Sequence, residues 1–429
     1  MDIVEIRKSP KIMEEALIAK NIDFDMRSFL LLDDEVRELK RKTEDIKSRQ
    51  NILSKEIQSS DTLDRDILIE RSKKLKDELK VDVDLLKTKE NSWKDLYYSL
   101  PQVPSKKAPN GKSDEDNIVL ETVGKPRNFE EEGFTPLSHM ELIRLNNWGD
   151  FERSSKVSGA RSYTLQGDLF LYEQALFSYT LQKLRSKNFK LFSVPSLIRG
   201  EVFKRSTTVS ENDSYELKDD GSFLVPTSEY ILTNWHGGEI LEEAELPKLY
   251  GGYSACFRKE AGSYGKDTKG LMRLHQFNKV EQVVLCKADD EVAEKMHLFI
   301  LENAKELMTD LELPFEVMEC CTGDMGKGKH RMFDINSWVP SENCYRETHS
   351  ASSFLEWQAR KMDLRYRETA SRKVKFVYTL NNTMLALPRT FISLLENHQE
   401  FDEKSGYRVS IPTKLRPFMG GEKYLKSNN

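Results

Sequence analysis

Arg258, Glu260, Phe277, Lys279 and Glu281 fall in one stretch, CFRKEAGSYGKDTKGLMRLHQFNKVE, residues 256–281. Aromatic and small apolar residues over 249–260 predict a strand. The alternation over 276–285 predicts a second. Residues two apart on a strand share a face. Arg258 and Glu260 are therefore expected to point one way, and Phe277, Lys279 and Glu281 to stand together. Antiparallel pairing would bring an arginine, an aromatic ring and carboxylates onto one side of a sheet. Between the strands, Gly262, Gly265 and Gly270 are interspersed with Lys266, Lys269 and Arg273. A basic loop of that kind suits the covering of an anionic ligand. Spacing alone also fits an ordinary hairpin with solvated charges.

Three further stretches carry groups of the same kind. VPTSEYILTN, 225–234, places Thr227 and Glu229 two apart, predicting one strand face. FDINSWVPSENCYRETHSAS, 333–352, holds Glu347 and Ser350, and a carboxylate with a hydroxyl makes oxygen donors for a hard cation shared with phosphates. In TLNNTMLALPRTFISLLENHQ, 379–399, Asn381 and Thr383 share a strand face and Pro388 is set to open a helix. Arg389 then adds its fork to the free N–H groups of that helix start, an arrangement that suits phosphate. Each stretch is weak by itself. No GxxxxGK and no GxGxxG occurs.

These groups need a scaffold. Helices are expected over 169–186 and over 289–311, the second capped by Asp289 and apolar along Val292, Met296, Phe299, Ile300, Leu307 and Leu311. Upstream, a short helix is expected over 11–20. A seam then steps by four and three through Leu32, Val36, Leu39, Thr43, Ile46, Gln50, Leu53 and Ile57. SSDTLD, 59–64, breaks it. A second run, Leu68, Leu75, Leu79, Leu86, Trp93 and Leu96, is interrupted at Asp82 and Lys89. Two such helices fold back as an antiparallel hairpin, about 30 residues and roughly 45 Å long. Its charges are mixed, so dimerisation or a structural role fits the arm as well as RNA does. The proline-bearing segment 100–117 reads as a linker, with a domain boundary near 105.

The whole chain has 429 residues, enough for two or three domains. With 32% charged residues and a formal net charge of −5, a soluble protein is expected, and any nucleic-acid contact must come from local patches. No signal-like segment and no run of ~18 apolar residues is found, so a cytoplasmic location without membrane contact is expected. The five cysteines are odd in number and lack CxxC spacing, which predicts reduced thiols and no structural zinc.

FRKEAG followed by GLMRLHQF and VE resembles the second signature of class II aminoacyl-tRNA synthetases, in the form used by seryl-tRNA synthetases. The resemblance runs nearly end to end. MDIVEIRKSPKIMEEAL and the arm with its RQNILSKEI are similar to that family's N-terminal domain. Residues 139–181 resemble the start of its catalytic domain. NFKLFSVPSLI, 188–198, resembles the class II dimer-interface signature around Pro195. TxE at 227–229, CTGDMG at 321–326, the arginine signature at 389 and the ending LRPFMGGEKYL follow in order. Asn188 stands where the family usually has glycine, Asn336 where it has an acid and His349 where serine is common. KRSTTVSENDSYEL also departs from the usual pattern.

The resemblance implies an α+β protein. Residues 1–105 would form a tRNA-binding domain with a coiled-coil arm over about 30–97. Residues 106–429 would form a class II catalytic domain, an antiparallel sheet flanked by helices. It implies an ATP-dependent serine–tRNA ligase, making seryl-adenylate and then charging serine tRNA, and selenocysteine tRNA where a cell has one. In that reading Arg258 neutralises the α-phosphate, with Lys259 and Glu260 on the nucleotide. Phe277 stacks on adenine and Arg389 holds the γ-phosphate. Glu347, Thr348, His349 and Ser350 contact ATP, and Glu347 and Ser350 also hold Mg2+. Thr227, Ser228, Glu229, Glu281, Asn381 and Thr383 surround L-serine. Arg41, Lys47, Arg49, Lys55, Lys73, Lys74 and Lys76 are candidates for the arm's phosphate contacts with the long variable arm of that tRNA. The working unit is a homodimer of the zinc-free kind. A non-catalytic, RNA-binding paralogue is the rival, and the presence of Arg258, Phe277, Glu281 and Arg389 argues against it.

Overall fold

A computed structural model describes the chain except residues 60, 207–210 and 262–269, and leaves out the side chains of 62–64 and 211. Lys266, Lys269, Gly262 and Gly265 therefore lie outside the described residues. Contacts divide the chain into two compact units, Met1–Pro101 and Gln102–Asn429. That division falls four residues before the boundary expected near 105. Among the described residues, no helix is long and apolar enough to cross a membrane.

Among the described residues, the first unit has four helices. Helix α1, Ile3–Lys8, is capped by Asp2, whose side chain accepts from the Val4 N–H at 2.8 Å. Sequence pattern did not reveal it. Helix α2, Pro10–Ala19, starts on the proline. The long helices α3, Met26–Ser59, and α4, Thr62–Ser99, form the arm. The seam residues of α3 are all buried or half-buried. The two interruptions in α4 are neutralised across the hairpin. Asp82 is buried and meets Lys42 at 2.9 Å, and Lys89 meets Glu35 at 2.7 Å. Leu96, expected in the seam, is exposed. Tyr97 takes its place, stacked on Trp93 with ring centroids 4.8 Å apart. A straight helix drifts against a heptad repeat, so the buried stripe moves by one position over several turns.

At the base of the arm Asp33 is buried among Phe29, Trp93 and Tyr97. Its carboxylate accepts from Arg7 Nε at 2.6 Å, Arg7 Nη2 at 2.8 Å and Trp93 Nε1 at 2.9 Å. The three donors tie α1, α3 and α4 together.

The second unit is built on an eight-stranded sheet. Its strands are β1, Ile118–Val123, β2, Lys190–Ser193, β3, Lys248–Phe257, β4, Gln276–Cys286, β5, Phe315–Glu319, β6, Arg331–Val339, β7, Cys344–Leu355, and β8, Tyr378–Ala386. The spatial order is β1-β5-β6-β7-β8-β4-β3-β2, and every neighbouring pair is antiparallel except β2 with β3. The elements packed on it include α5, His139–Leu145, α6, Asp168–Ser186, α7, Glu229–Thr233, α8, Asp290–Asp310, α9, Trp357–Met362, and α10, Leu387–Asn397. Helix α8 is capped as expected, Asp289 accepting from the Glu291 and Val292 N–H groups. The largest core packs Leu169, Tyr172 and Leu176 of α6, Ile300 and Leu307 of α8 and Phe391 of α10 with Val280 and Val284 of β4. All five cysteines are free, four of them buried.

Asp33→Ala removes three hydrogen bonds at the root of the arm. Bonds to a charged group contribute about 1.5–3 kcal/mol each, but the Arg7 side chain is 30% exposed and regains water. The expected loss is about 2 kcal/mol, read as a lower urea midpoint for the helical signal in far-UV circular dichroism. An unchanged midpoint would mean that aromatic packing alone holds the root.

Candidate active site

Strands β3 and β4 pair antiparallel with Cys256 opposite Phe277 and Gly252 opposite Glu281. Phe277, Lys279 and Glu281 all face one cavity, as their spacing requires. Strand β3 stops at Phe257, earlier than the expected 260. The Arg258 N–H still donates to the His275 carbonyl at 3.0 Å. The backbone then turns, and Glu260 has φ of +53°. Arg258 and Glu260 thus reach the same cavity through a turn, not through strand alternation. Arg258 lies over the Phe277 ring, 5.3 Å from its centroid, and Glu260 meets Arg273 at 2.9 Å. Lys259 leaves the cavity. Its N–H donates to the Asp213 carbonyl and its ammonium lies 5.7 Å from the Tyr215 ring centroid.

Thr227 and Glu229 are not on a strand. They flank the start of helix α7, and the Glu229 N–H donates to Thr227 Oγ1 at 3.3 Å. Both line the cavity. Ser228 between them does not, because helical rotation turns it to the sheet, where its hydroxyl donates to the Gly252 carbonyl at 3.1 Å. Gly252 permits this approach. A Cβ there would come within 2.6 Å of Leu232 and 2.7 Å of Ser228 Oγ. Glu229 is held from behind by Gln358 of α9, whose Nε2 donates at 2.6 Å. Gln358 Oε1 in turn accepts from Thr379 at 2.6 Å. Burial, then the neighbouring Glu281 charge, push the Glu229 carboxyl up to about 7. Glu281 meets Lys279 at 2.5 Å, and its Oε2 has no aligned hydrogen bond among the described residues.

Glu347 and Ser350 are three apart and would face opposite sides of a regular strand. A register shift between Glu347 and His349 in the β7–β6 ladder resolves this. The extra residue rotates the strand, and both side chains line the cavity. His349 pays for that rotation by facing the core. It is fully enclosed, with Nε2 3.2 Å from the Met384 carbonyl and Nδ1 2.8 Å from Thr348 Oγ1. Burial lowers its pKa to about 4. Thr348 lines the cavity, but its hydroxyl turns inward, 3.1 Å from the Ile335 carbonyl and 2.8 Å from His349 Nδ1. Desolvation opposes charge on Glu347, yet Arg389, Lys329 and Arg258 outweigh it and hold the carboxyl below its usual range.

On the other side, Asn381 and Thr383 of β8 face the cavity, Thr383 opposite Glu281. Pro388 opens α10 as expected, and Arg389 beside it reaches the Glu347 carbonyl at 3.0 Å and its carboxylate at 3.4 Å. The cavity holds about 750 Å³. Among the described residues, six cationic side chains line it, Arg258, Arg273, Lys279, Lys327, Lys329 and Arg389, against four carboxylates, Glu229, Glu260, Glu281 and Glu347. That balance suits a polyanion with an ammonium-bearing partner.

Sequence reasoning gave no role to several residues here. Lys279 was visible on the right strand face. Arg273 was visible as a loop cation. Gln358 and Lys329 come from elements remote in sequence, and no local signal marks them. Asp334 of FDI is buried beneath Ser350, which hydrogen-bonds to it. Burial, then the Glu347 charge, push its carboxyl up to about 7.

Comparison with known proteins identifies the family. Residues 1–104 match the seryl-tRNA synthetase N-terminal domain, and residues 213–398 match the tRNA synthetase class II core domain (G, H, P, S and T). The serine–tRNA ligase of Deinococcus radiodurans is 40% identical over 427 residues, 99% of each chain. That of Dictyoglomus turgidum is 36% identical over 429 residues, 98% of each. The crystal structure of seryl-tRNA synthetase from Pyrococcus horikoshii complexed with ATP superposes with a TM-score of 0.89 at 32% identity, covering 100% of both chains. The chain belongs to the seryl-tRNA synthetase family of class II aminoacyl-tRNA synthetases.

Proposed function

We propose that the cavity activates L-serine with ATP and that the arm presents serine tRNA for charging. The observation that carries this is the convergence of Arg258, Phe277, Glu281, Glu347 and Arg389 on one cavity from two strands, the turn after β3 and a helix start. Phe277 offers a face for adenine, with Glu260 beside it. Arg258 neutralises the α-phosphate and Arg389 the γ-phosphate. Thr227, Glu229, Glu281, Asn381 and Thr383 enclose serine, its ammonium on the carboxylates and its hydroxyl near Glu281 and Thr383.

Serine's carboxylate oxygen attacks the α-phosphorus. The bond from that phosphorus to the bridging oxygen of pyrophosphate breaks, and pyrophosphate leaves with the electron pair. The nucleophile is already an anion, so no base is required. Positioning and charge neutralisation by Arg258 and Arg389 lower the barrier. A ribose hydroxyl of the terminal tRNA adenosine then attacks the acyl carbon, the bond from that carbon to the phosphate oxygen breaks, AMP leaves with the electron pair and the hydroxyl proton is released to solvent. Glu347 and Ser350 would hold Mg2+. The fit is chemical, because a partly exposed carboxylate and a hydroxyl are hard oxygen donors. Bound Mg2+ supplies charge neutralisation across the phosphates.

Residues 1–105 act as the tRNA-binding domain. The seven basic residues named on the arm are all exposed, as phosphate contacts must be. The working unit is a homodimer, supported by the exposed Leu191 and Leu197 in the signature around Pro195. The site of action is the cytoplasm, where charged tRNA is used.

Serine-dependent ATP–pyrophosphate exchange is expected of the full chain and of a chain with residues 33–96 replaced by a short linker. Charging of serine tRNA should collapse in the second. A truncated, folded chain that charges normally would remove the arm from tRNA recognition. Arg389→Ala should slow exchange by ~10²–10³, and lysine should rescue only in part because it lacks the planar fork. Near wild-type exchange by a folded Arg389→Ala chain would unseat the phosphate assignment.

The raised pKa of Glu229 gives a signed pH dependence. Below about 7 the carboxyl is protonated and cannot pair with the serine ammonium; above it, it can. The KM for serine should rise about tenfold from about pH 8 to about pH 6, and Glu229→Gln should flatten that profile at a high KM. A serine KM independent of pH in the wild type would exclude Glu229 as the ammonium partner.

A further inference from the structure

We propose that His139 is a positioning residue for the activation step, fixing the cavity wall formed by residues 270–274. The inference rests on the reading of the cavity as the site of serine activation. His139 opens helix α5, and its ring is outside the cavity. Its backbone N–H donates to Glu396 Oε1 at 2.9 Å, and ring Nδ1 lies 2.7 Å from the same oxygen. Glu396 Oε2 accepts from the Ser341 N–H at 2.9 Å. Burial opposes charge on Glu396, but these donors outweigh it and hold the carboxyl below its usual range. An ionised carboxylate only accepts hydrogen bonds, so Nδ1 carries the proton. In a neutral ring Nε2 is then left as an acceptor, and it meets the Leu271 N–H at a long 3.4 Å.

A second observation marks the same contact. Gly270 has φ of +79°, and a Cβ there would lie 2.5 Å from His139 Nε2. The imidazole therefore packs against the bare backbone at the foot of the wall. Leu271, Met272, Arg273 and Leu274 all line the cavity. The Met272 carbonyl accepts from Arg389 Nε at 3.4 Å. Arg389 and Glu396 both belong to helix α10. One helix thus fixes the wall at two points, through Arg389 from its first turn and through Glu396 and His139 from its last. Arg273, held in this wall, pairs with Glu260 on the opposite side of the turn.

Two substitutions separate the two ring nitrogens. Asparagine places a polar atom near the Nδ1 position and keeps the Glu396 bond; glutamine reaches the Nε2 position and can accept from Leu271. In the full-length chain, His139→Asn should keep the wild-type Tm and lose about three- to tenfold in kcat/KM for ATP in exchange, the factor of one hydrogen bond. The serine KM should not move. His139→Gln should recover most of the ATP loss. Wild-type ATP kinetics in a folded His139→Asn chain would overturn the inference, as would a His139→Gln chain that falls as far as His139→Asn. Failure of either variant to fold while the other keeps wild-type ATP kinetics would also overturn it, reducing the residue to a structural one. Absence of exchange in the wild type would instead sink the activation reading beneath it.

Discussion

A slip of one residue in strand β4 would turn Glu281 into the core and bring Gln282 into the cavity. The site depends on that register more than on any single contact. The face of β4 away from the cavity enforces it. Gln282 is fully buried there, its Nε2 donating to the Ile300 carbonyl at 3.0 Å and its Oε1 accepting from Asn303 Nδ2 at 2.8 Å. Asn382, the neighbour of Asn381 and Thr383 on β8, donates to the same Ile300 carbonyl at 2.7 Å. Each buried amide sits back to back with the residues proposed to read serine. Moving the strand would strand several polar groups in an apolar core, at roughly 1–3 kcal/mol each. The amides thus convert helix α8, which has no cavity residue, into a clamp on the cavity's floor.

The cavity face is a second constraint, of charge. Three of its cations are held in place before any ligand arrives: Lys279 by Glu281, Arg273 by Glu260 and Arg389 by Glu347. Such pairs keep long side chains from wandering, which favours preorganised stabilisation over reorganisation during reaction. The carboxylates in them are also the groups proposed to meet ammonium, ribose and metal. Ligand binding then exchanges partners among fixed charges and creates no new buried charge without a partner. Glu229 is the exception. It has a neutral donor, Gln358, at its back and the Glu281 charge nearby, and its raised pKa follows from that isolation.

Much of this was legible in the sequence, and the failures have physical causes. Alternation read β4 and β8 correctly because both are long strands whose two faces differ in kind. It failed at Thr227 and Glu229 because i and i+2 also lie within reach of one another at a helix start, where a threonine side chain accepts from the backbone. It failed at Glu260, where a left-handed residue ends the strand's geometry. The bulge that brings Glu347 and Ser350 together leaves no mark in composition, so His349 was assigned to the nucleotide when the rotation sends it inward. Seam arithmetic placed the arm's helices but missed the drift that substitutes Tyr97 for Leu96. Gln358, Lys329 and His139 act across long sequence separations, and only the folded chain brings them to the site.

The departures from the family pattern bear on how far its chemistry transfers. Asn188 takes φ of +66° at the end of helix α6, a conformation glycine favours and asparagine tolerates better than most residues. The replacement therefore keeps the turn that leads into β2. Asn336 lies beside Met318, and its carboxamide oxygen is buried without a hydrogen-bond partner among the described residues. It does not line the cavity. His349 is enclosed and neutral, bonded to the backbone of β8. These three departures are thus absorbed by the scaffold: one by a permissive backbone angle, one beside a thioether and one by a hydrogen bond between neighbouring strands, while the fourth, KRSTTVSENDSYEL, lies partly outside the described residues. None of these three side chains lines the cavity, so these changes act on how firmly its walls are held.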